Sequence, residues 1–270
     1  MVLQLGVSTY GYLYQRTLES SLQAIATAGY RLVEISTISP HIYTRATGVL
    51  ERWALRRLLS SLDLQCVSVN AAEQNLISPH PALRETAIKE YEATIEFAAD
   101  LDVRIVVVAP GRLNPLIPMP GNDATALLRR QIERLLPQAK RSGVRLALET
   151  FPFGFMRTGR EVKALIDSLA DGSLGIAYDC ANVLAHEDPA EGVRAIAGRL
   201  LIAHVSDAWK GRFAHTSVGR GEVDFRAYCR ALRDAGFAGP TIYELVDGDD
   251  PNPRIVDDAK LFRAWGWRIG

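Results

Sequence analysis

The chain has 270 residues, 48% of them hydrophobic, and its 31 Lys and Arg balance its 31 Asp and Glu. Zero formal net charge leaves no broad positive field for neutralising phosphates, which argues against a nucleic-acid partner, and the apolar share excludes a disordered chain. Scaling laws predict burial of about 70% of the unfolded surface, enough for one large core. The length suits a single α/β barrel as well as two smaller domains. Cys66, Cys180 and Cys229 are odd in number and far apart, as expected for reduced thiols in a cytoplasmic protein. Residues 1–7 lack a basic stretch followed by a long apolar one, so no signal peptide is expected. No apolar run approaches the roughly eighteen residues of a membrane span.

Read in chain order, short apolar or β-branched runs at 3–9, 32–36, 64–70, 104–109, 145–149, 175–179, 200–205 and 241–245 predict eight strands. Segments of helical periodicity separate them. Residues 83–99 repeat apolar side chains at Ile88, Tyr91, Ile95 and Ala98, and residues 124–142 do so at Leu127, Leu128, Ile132, Leu135 and Leu136. Connections entering strands are short and hold Gly29, Gly143 or Gly236, suited to left-handed helix ends. Connections leaving strands are long, at 36–50, 110–123, 151–158 and 206–222. About 34 residues per βα unit, with the long loops all at one end, predicts a single-domain (β/α)8 TIM barrel over 1–270 with its active site on that face. An open doubly wound sheet is the alternative, weakened because no strand is followed by G-x-G-x-x-G. The Pro-rich segment 110–120 reads as a loop, either a lid or a subunit contact.

Strand side chains alternate in direction, so counting back in twos identifies the face that points into the barrel. Glu149 shares that face with Ala147 and Arg145, Asp179 with Ala177 and Gly175, His204 with Ile202 and Leu200, and Glu244 with Ile242. The four polar residues end the fifth to eighth predicted strands, which curvature brings together. Three carboxylates in one pocket raise one another's pKa unless a cation neutralises them, so a divalent metal is expected. A single imidazole among oxygen ligands favours Mn²⁺, Mg²⁺ or Co²⁺ over a thiolate-built structural zinc site, with zinc still open.

These pieces carry a family resemblance. Ala147-Leu148-Glu149, Ala177-Tyr178-Asp179, His204-Val205-Ser206-Asp207, the stretch from Val218 to Phe225 and Ile242-Tyr243-Glu244-Leu245 resemble the xylose isomerase-like TIM barrel superfamily, the sugar phosphate isomerases/epimerases. Leu5-Gly6-Val7-Ser8-Thr9 and Val33-Glu34-Ile35 extend the resemblance over essentially the whole chain. It implies a metal held by Glu149, Asp179, His204 and Glu244, with Glu149 and Glu244 as the acid/base pair on opposite faces of a ketose. The metal would polarise the carbonyl and stabilise an enediolate. Proton return from the opposite face gives epimerisation, and return at the adjacent carbon gives aldose–ketose isomerisation.

The chain also departs from the family pattern. Many members carry a histidine three residues after the strand-six aspartate, where this chain has Asn182, able to bind a hydroxyl but not to carry a proton. Endonuclease members use three zinc ions and additional histidines. Here Asn70, Ala109, Asn182 and Phe213 stand at the corresponding positions, which disfavours that activity.

Other candidates keep two readings each. Glu34 contacts substrate or pairs with an arginine, Asp207 binds substrate or orients a ligand, and His215 reaches a substrate oxygen or sits on a surface loop. Gly219-Arg220-Gly221 holds a phosphate or simply leads into Asp224 as a helix N-cap. Phe151, Phe153, Phe155, Trp209 and Phe213 stack on a sugar or pack the loops.

The resulting expectation is a divalent-metal-dependent isomerase/epimerase of a small ketose or keto-polyol, working as a homodimer or homotetramer without nucleic-acid or membrane partners. A keto-inositol dehydratase is the alternative. A metal-dependent endonuclease and a non-catalytic sugar-binding protein rank lower.

Overall fold

The computed structural model describes residues 2–71, 73–153 and 155–270; Met1, Ala72 and Gly154 lie outside the described residues. The elements run β1 (Leu3–Ser8), α1 (Leu18–Thr27), β2 (Leu32–Ser36), α2 (Val49–Ser61), β3 (Gln65–Asn70), α3 (Pro81–Asp100), β4 (Ile105–Val108), α4 (Gly121–Arg141), β5 (Arg145–Glu149) and α5 (Gly159–Leu169). They continue with β6 (Leu174–Asp179), α6 (Cys180–Val183), α7 (Pro189–Ile196), β7 (Leu200–Val205), β8 (Asp207–Trp209), β9 (Arg212–Thr216), α8 (Phe225–Asp234), β10 (Thr241–Tyr243), α9 (Asn252–Trp265) and β11 (Trp267–Arg268). Strands β1 to β7 pair in sequence and β10 joins β7 to β1, all in parallel, so eight strands close the expected (β/α)8 barrel. Among the described residues, no helix is long and apolar enough to cross a membrane.

The eight sequence runs and eight barrel strands agree to within two residues at each end. Gly29, Gly143 and Gly236 adopt φ of +90°, +65° and +66° after α1, α4 and α8, a conformation in which a Cβ would be strained. Thr158 and Glu161 form a capping box at α5, and Asp224 caps α8, as the helix-cap reading of that segment expects. The antiparallel hairpin β8–β9, folded from the long connection after β7, lay outside the sequence expectation, as did β11 beside β1.

Side chains divide into two apolar layers. Leu146, Leu148, Ile176, Tyr178, Val205 and Tyr243 face the helices, while Val107, Ala147, Ala177, Leu201, Ile202 and Ile242 fill the barrel interior. Alternation from His204 holds for Ile202 and fails at Leu200, which packs in the outer layer instead. The cause is a bulge: Ile176 pairs with Leu200 but Ala177 with Ile202, so Leu201 turns inward. Gly175 makes room for it, since a Cβ there would lie 2.2 Å from Leu201 Cγ.

Register sets the height of each site residue. Asp179 lies directly opposite His204, Glu149 opposite Ala177, and Ile242 opposite His204. Glu149 therefore starts one inward position to one side of the Asp179–His204 level, and Glu244 one position to the other. The two offset positions carry the longer glutamate side chain.

Ile202 is fully buried in the interior layer beneath this level. Ile202→Ala is expected to cost about 3 kcal/mol and to lower the thermal midpoint by roughly 6–12 °C. Leu83→Ala, at an exposed position on α3, should change stability by less than about 0.5 kcal/mol. Urea and thermal unfolding followed by circular dichroism check both.

Candidate metal centre and active site

Glu149 ends β5, Asp179 ends β6, His204 stands one residue before the end of β7 and Glu244 follows β10. One ligand atom from each lies within 4.8 Å of the others, and all four side chains are buried. The imidazole edge carrying Nδ1 faces the carboxylates: it lies 3.0 Å from Glu149 Oε1, 3.7 Å from Glu244 Oε2 and 3.9 Å from Asp179 Oδ2. Asp179 Oδ1 accepts from the Ala181 and Asn182 backbone N–H groups at the start of α6, which fixes the carboxylate. Its Oδ2 is buried, aimed into the cluster and without a hydrogen-bond partner among the described residues. An orphaned carboxylate oxygen beside two glutamates and an imidazole nitrogen is a donor set that fits a divalent cation.

Electrostatics agree with that fit. Burial, opposed by His204 and reinforced by Asp179 and Glu34, raises the Glu149 carboxyl above its ordinary value. Burial also pushes Glu244 well up, with Glu149, Asp179 and Glu34 adding to it against His204. Burial opposes charge on His204, yet Glu34 and the hydrogen bonds with Glu149 and Glu34 hold its pKa well above the usual histidine range. In the protein alone, a proton on His204 is thus favoured by the carboxylates around it.

Behind His204 stands Glu34. The His204 Nε2–H donates to Glu34 Oε2 at 3.1 Å, Ser68 Oγ donates to the same oxygen at 2.8 Å, and Asn70 Nδ2 reaches Oε1 at 3.5 Å. Glu34 is completely buried, so the reading of it as a substrate contact gives way to one in which it backs the imidazole. Burial alone would raise its carboxyl, but the His204 charge and the bonds from His204, Ser68 and Asn70 hold it below the ordinary value. A carboxylate on Nε2 fixes the ring orientation and directs Nδ1 at the cluster. Ser68 and Asn70, two apart on β3, were not singled out for this role, although the alternation that exposed Glu149 places both inward.

His215 enters from β9. Asn182 Nδ2 donates to the Thr150 carbonyl at 3.0 Å, which leaves Asn182 Oδ1 to accept from His215 Nε2–H at 3.2 Å, so His215 Nδ1 accepts from Ser206 Oγ–H at 2.9 Å. His215 Nδ1 also stands 3.8 Å from both Asp179 Oδ2 and Glu244 Oε2. The loop histidine is therefore a neighbour of the cluster, and Asn182 is the residue that holds it there.

Asp207 does not face this pocket as a free group. It is fully buried, with Oδ1 accepting from the Ala208 and Val223 N–H groups and Oδ2 from those of Gly219 and Gly221. Tyr10, just past β1 and not foreseen, has its hydroxyl pKa raised by burial and then by Glu244, Glu73 and Glu149, against a lowering by Arg112. A separate cleft of about 640 Å³ is lined by Arg129, Phe155, Met156 and Glu161 between α4 and α5 and holds none of the converging groups.

The family model for the xylose isomerase-like TIM barrel matches residues 22–265. The chain belongs to that family. Solved structures of like fold include a D-tagatose 3-epimerase-like protein, with a TM-score of 0.85 at 20% identity over 97% of both chains. D-psicose 3-epimerase from Clostridium cellulolyticum H10 gives 0.82 at 17% identity over 98% of this chain and 100% of that one. In sequence, the L-ribulose-5-phosphate 3-epimerase UlaE of Salmonella typhi is 25% identical over 148 residues, 54% of this chain and 51% of its own length. The chain thus spans about half the length of the curated relatives it matches.

Within this xylose isomerase-like barrel, the cluster predicts a ligand-dependent stability. At about 100 times its Kd, a cation that binds the native state adds about 2.7 kcal/mol and raises the thermal midpoint by roughly 5–10 °C. At least one of Mn²⁺, Mg²⁺, Co²⁺ and Zn²⁺ should do so for the parent chain and none for Asp179→Asn. Glu34→Gln should weaken cation affinity about 10- to 100-fold in a chelator competition. A parent midpoint indifferent to all four ions would count against a metal centre.

Proposed function

We propose that this chain is a divalent-metal-dependent ketose epimerase in which Glu149 and Glu244 transfer the proton. The observation that carries this reading is the convergence of Glu149, Asp179, His204 and Glu244 with an orphaned Asp179 oxygen. The names of the ketose 3-epimerases among the relatives support it. Mn²⁺ and Mg²⁺ suit three carboxylates and one imidazole best.

When bound, the cation would polarise a substrate carbonyl as a Lewis acid, held by the four cluster residues. Glu149 and Glu244 come from barrel strands with β6 and β7 between them, so they approach the central cavity from different sides. One carboxylate oxygen takes the proton from the carbon next to the carbonyl, and the other glutamate delivers a proton to the opposite face. Burial raises both carboxyls, and a raised pKa brings a carboxylate closer to the value at which it both accepts and returns a proton. Asp179 and His204 are held by backbone N–H groups and by Glu34, so they anchor while the glutamates work. The His215–Asn182 pair braces the hairpin side of the cavity.

Incubating metal-loaded protein with a panel of ketoses in D₂O should place deuterium on the carbon beside the carbonyl and yield the epimer. Removing the metal with a chelator should abolish exchange. Glu149→Gln and Glu244→Gln should each lower kcat by about 10²- to 10⁴-fold with little change in fold. No exchange on any ketose at metal saturation, or loss of water from a keto-inositol without epimerisation, would remove this reading.

A further inference from the structure

We infer that the substrate is an unphosphorylated ketose whose end remote from the reacting carbons is uncharged and lies against Phe153 and Phe213. This rests on the epimerase reading above and specifies its substrate class.

In barrels of this kind, a phosphate commonly rests on backbone N–H groups of the loops after the seventh and eighth strands. Here the loop after β7 does present such a cradle, and the protein's own carboxylate fills it. Gly219 and Gly221 N–H each reach Asp207 Oδ2 at 2.8 Å, while Ala208 and Val223 N–H reach Oδ1 at 3.0 and 3.1 Å. A Cβ on Gly221 would lie 2.3 Å from the Ala208 carbonyl oxygen and 2.4 Å from Asp207 Oδ1, so the loop is drawn tightly onto this carboxylate. An incoming phosphate would find these donors engaged and a buried anion beside them.

The wall leading out of the site has the opposite chemistry. Phe213 and His215 are two apart on β9, and their rings meet edge to face at 5.2 Å. The imidazole stands 3.8 Å from Glu244 Oε2. From it the file of rings runs to Phe213, then to Phe153 at 4.8 Å and Phe151 at 5.5 Å. Phe213 and Phe153 remain 50% and 46% exposed, so they offer ring faces and edges suited to the C–H surface of a sugar chain. Desolvating a phosphate against two such rings would be costly. Charges that act the other way include Arg112, exposed and felt at Tyr10, and Arg220, exposed between Gly219 and Gly221 and felt at Asp258.

The test pairs binding with exchange. Metal-loaded protein is titrated by calorimetry with D-tagatose, D-psicose and L-ribulose, each against its own terminal phosphate ester, and the same samples are followed for deuterium uptake from D₂O. The tightest free ketose should bind at least about tenfold more tightly than its ester. Phe153→Ala and Phe213→Ala should each raise its Kd about three- to tenfold while cation affinity, the control for a folded site, stays unchanged. An ester that binds as tightly as the free sugar, or more so, overturns the inference. Loss of that ester binding in Arg112→Gln would place the anion site near Tyr10, and exchange on the ester would leave the epimerase reading standing. Free-sugar preference without exchange removes the epimerase reading and leaves the uncharged-ligand inference intact. Absence of binding by every sugar overturns the inference.

Discussion

Three carboxylates buried within a few ångströms of one another set the terms for the rest of this site. Two unit charges 4 Å apart repel by about 4 kcal/mol at an effective dielectric of 20. Three such pairs approach the whole net stability of an ordinary domain, about 5–15 kcal/mol. The carboxylates of Glu149, Asp179 and Glu244 therefore cannot all be ionised there without a positive partner. The fold supplies one in His204, whose Nδ1 faces all three and whose Nε2 is held by Glu34. A protonated imidazole neutralises only part of that charge, and Asp179 Oδ2 keeps no hydrogen-bond partner among the described residues. The remaining imbalance is the physical reason to expect a cation, and it exists before any relative is considered.

How the barrel reaches this arrangement explains why part of it was legible in the sequence. A strand period of two places Glu149, Asp179, His204 and Glu244 on one face, and four successive closing strands bring them to one end. Both facts follow from local pattern. Glu34 was singled out in the sequence, with an arginine as its expected partner, but its actual partner was not legible, because the His204 contact spans 170 residues and depends on how the strands close. Asp207 was left with two readings for a similar reason. A lone aspartate after a strand looks available to substrate, and only the folding-back of Gly219, Gly221 and Val223 shows where its oxygens point. The inward turn of Leu201 was hidden because a bulge shifts the period by one, and nothing in Leu200-Leu201-Ile202 distinguishes the shifted residue from its neighbours.

The exit of β7 concentrates several duties in four consecutive residues. His204 faces the carboxylates, Ser206 donates to His215, and Asp207 gathers the backbone of the following loop, while Val205 packs in the outer apolar layer. Period-two alternation explains the pairing of His204 with Ser206 on the site side. Asp207 falls on the other parity and opens the β8–β9 hairpin, so its side chain is free to organise the loop instead of the cavity. A change at Asp207 would thus act first on the loop and on the hairpin that carries Phe213 and His215.

This division separates what the fold demands from what the site selects. Like folds at 17–20% identity superpose with TM-scores of 0.82–0.85 over nearly the full chain, so the barrel forms without identity at most of its positions. The four cluster residues stand on or directly beside the barrel strands, where hydrogen-bonded register fixes their positions. Phe153, Phe213 and His215 sit on a loop and a hairpin outside the barrel ladder. Their chemistry can change without disturbing the interior layer of Val107, Ala147, Ala177 and Ile242. On the proposed reading, reaction type is tied to the strand ends, and substrate choice to the connections after β5 and β7, where aromatic rings stand and Asp207 fills the backbone cradle.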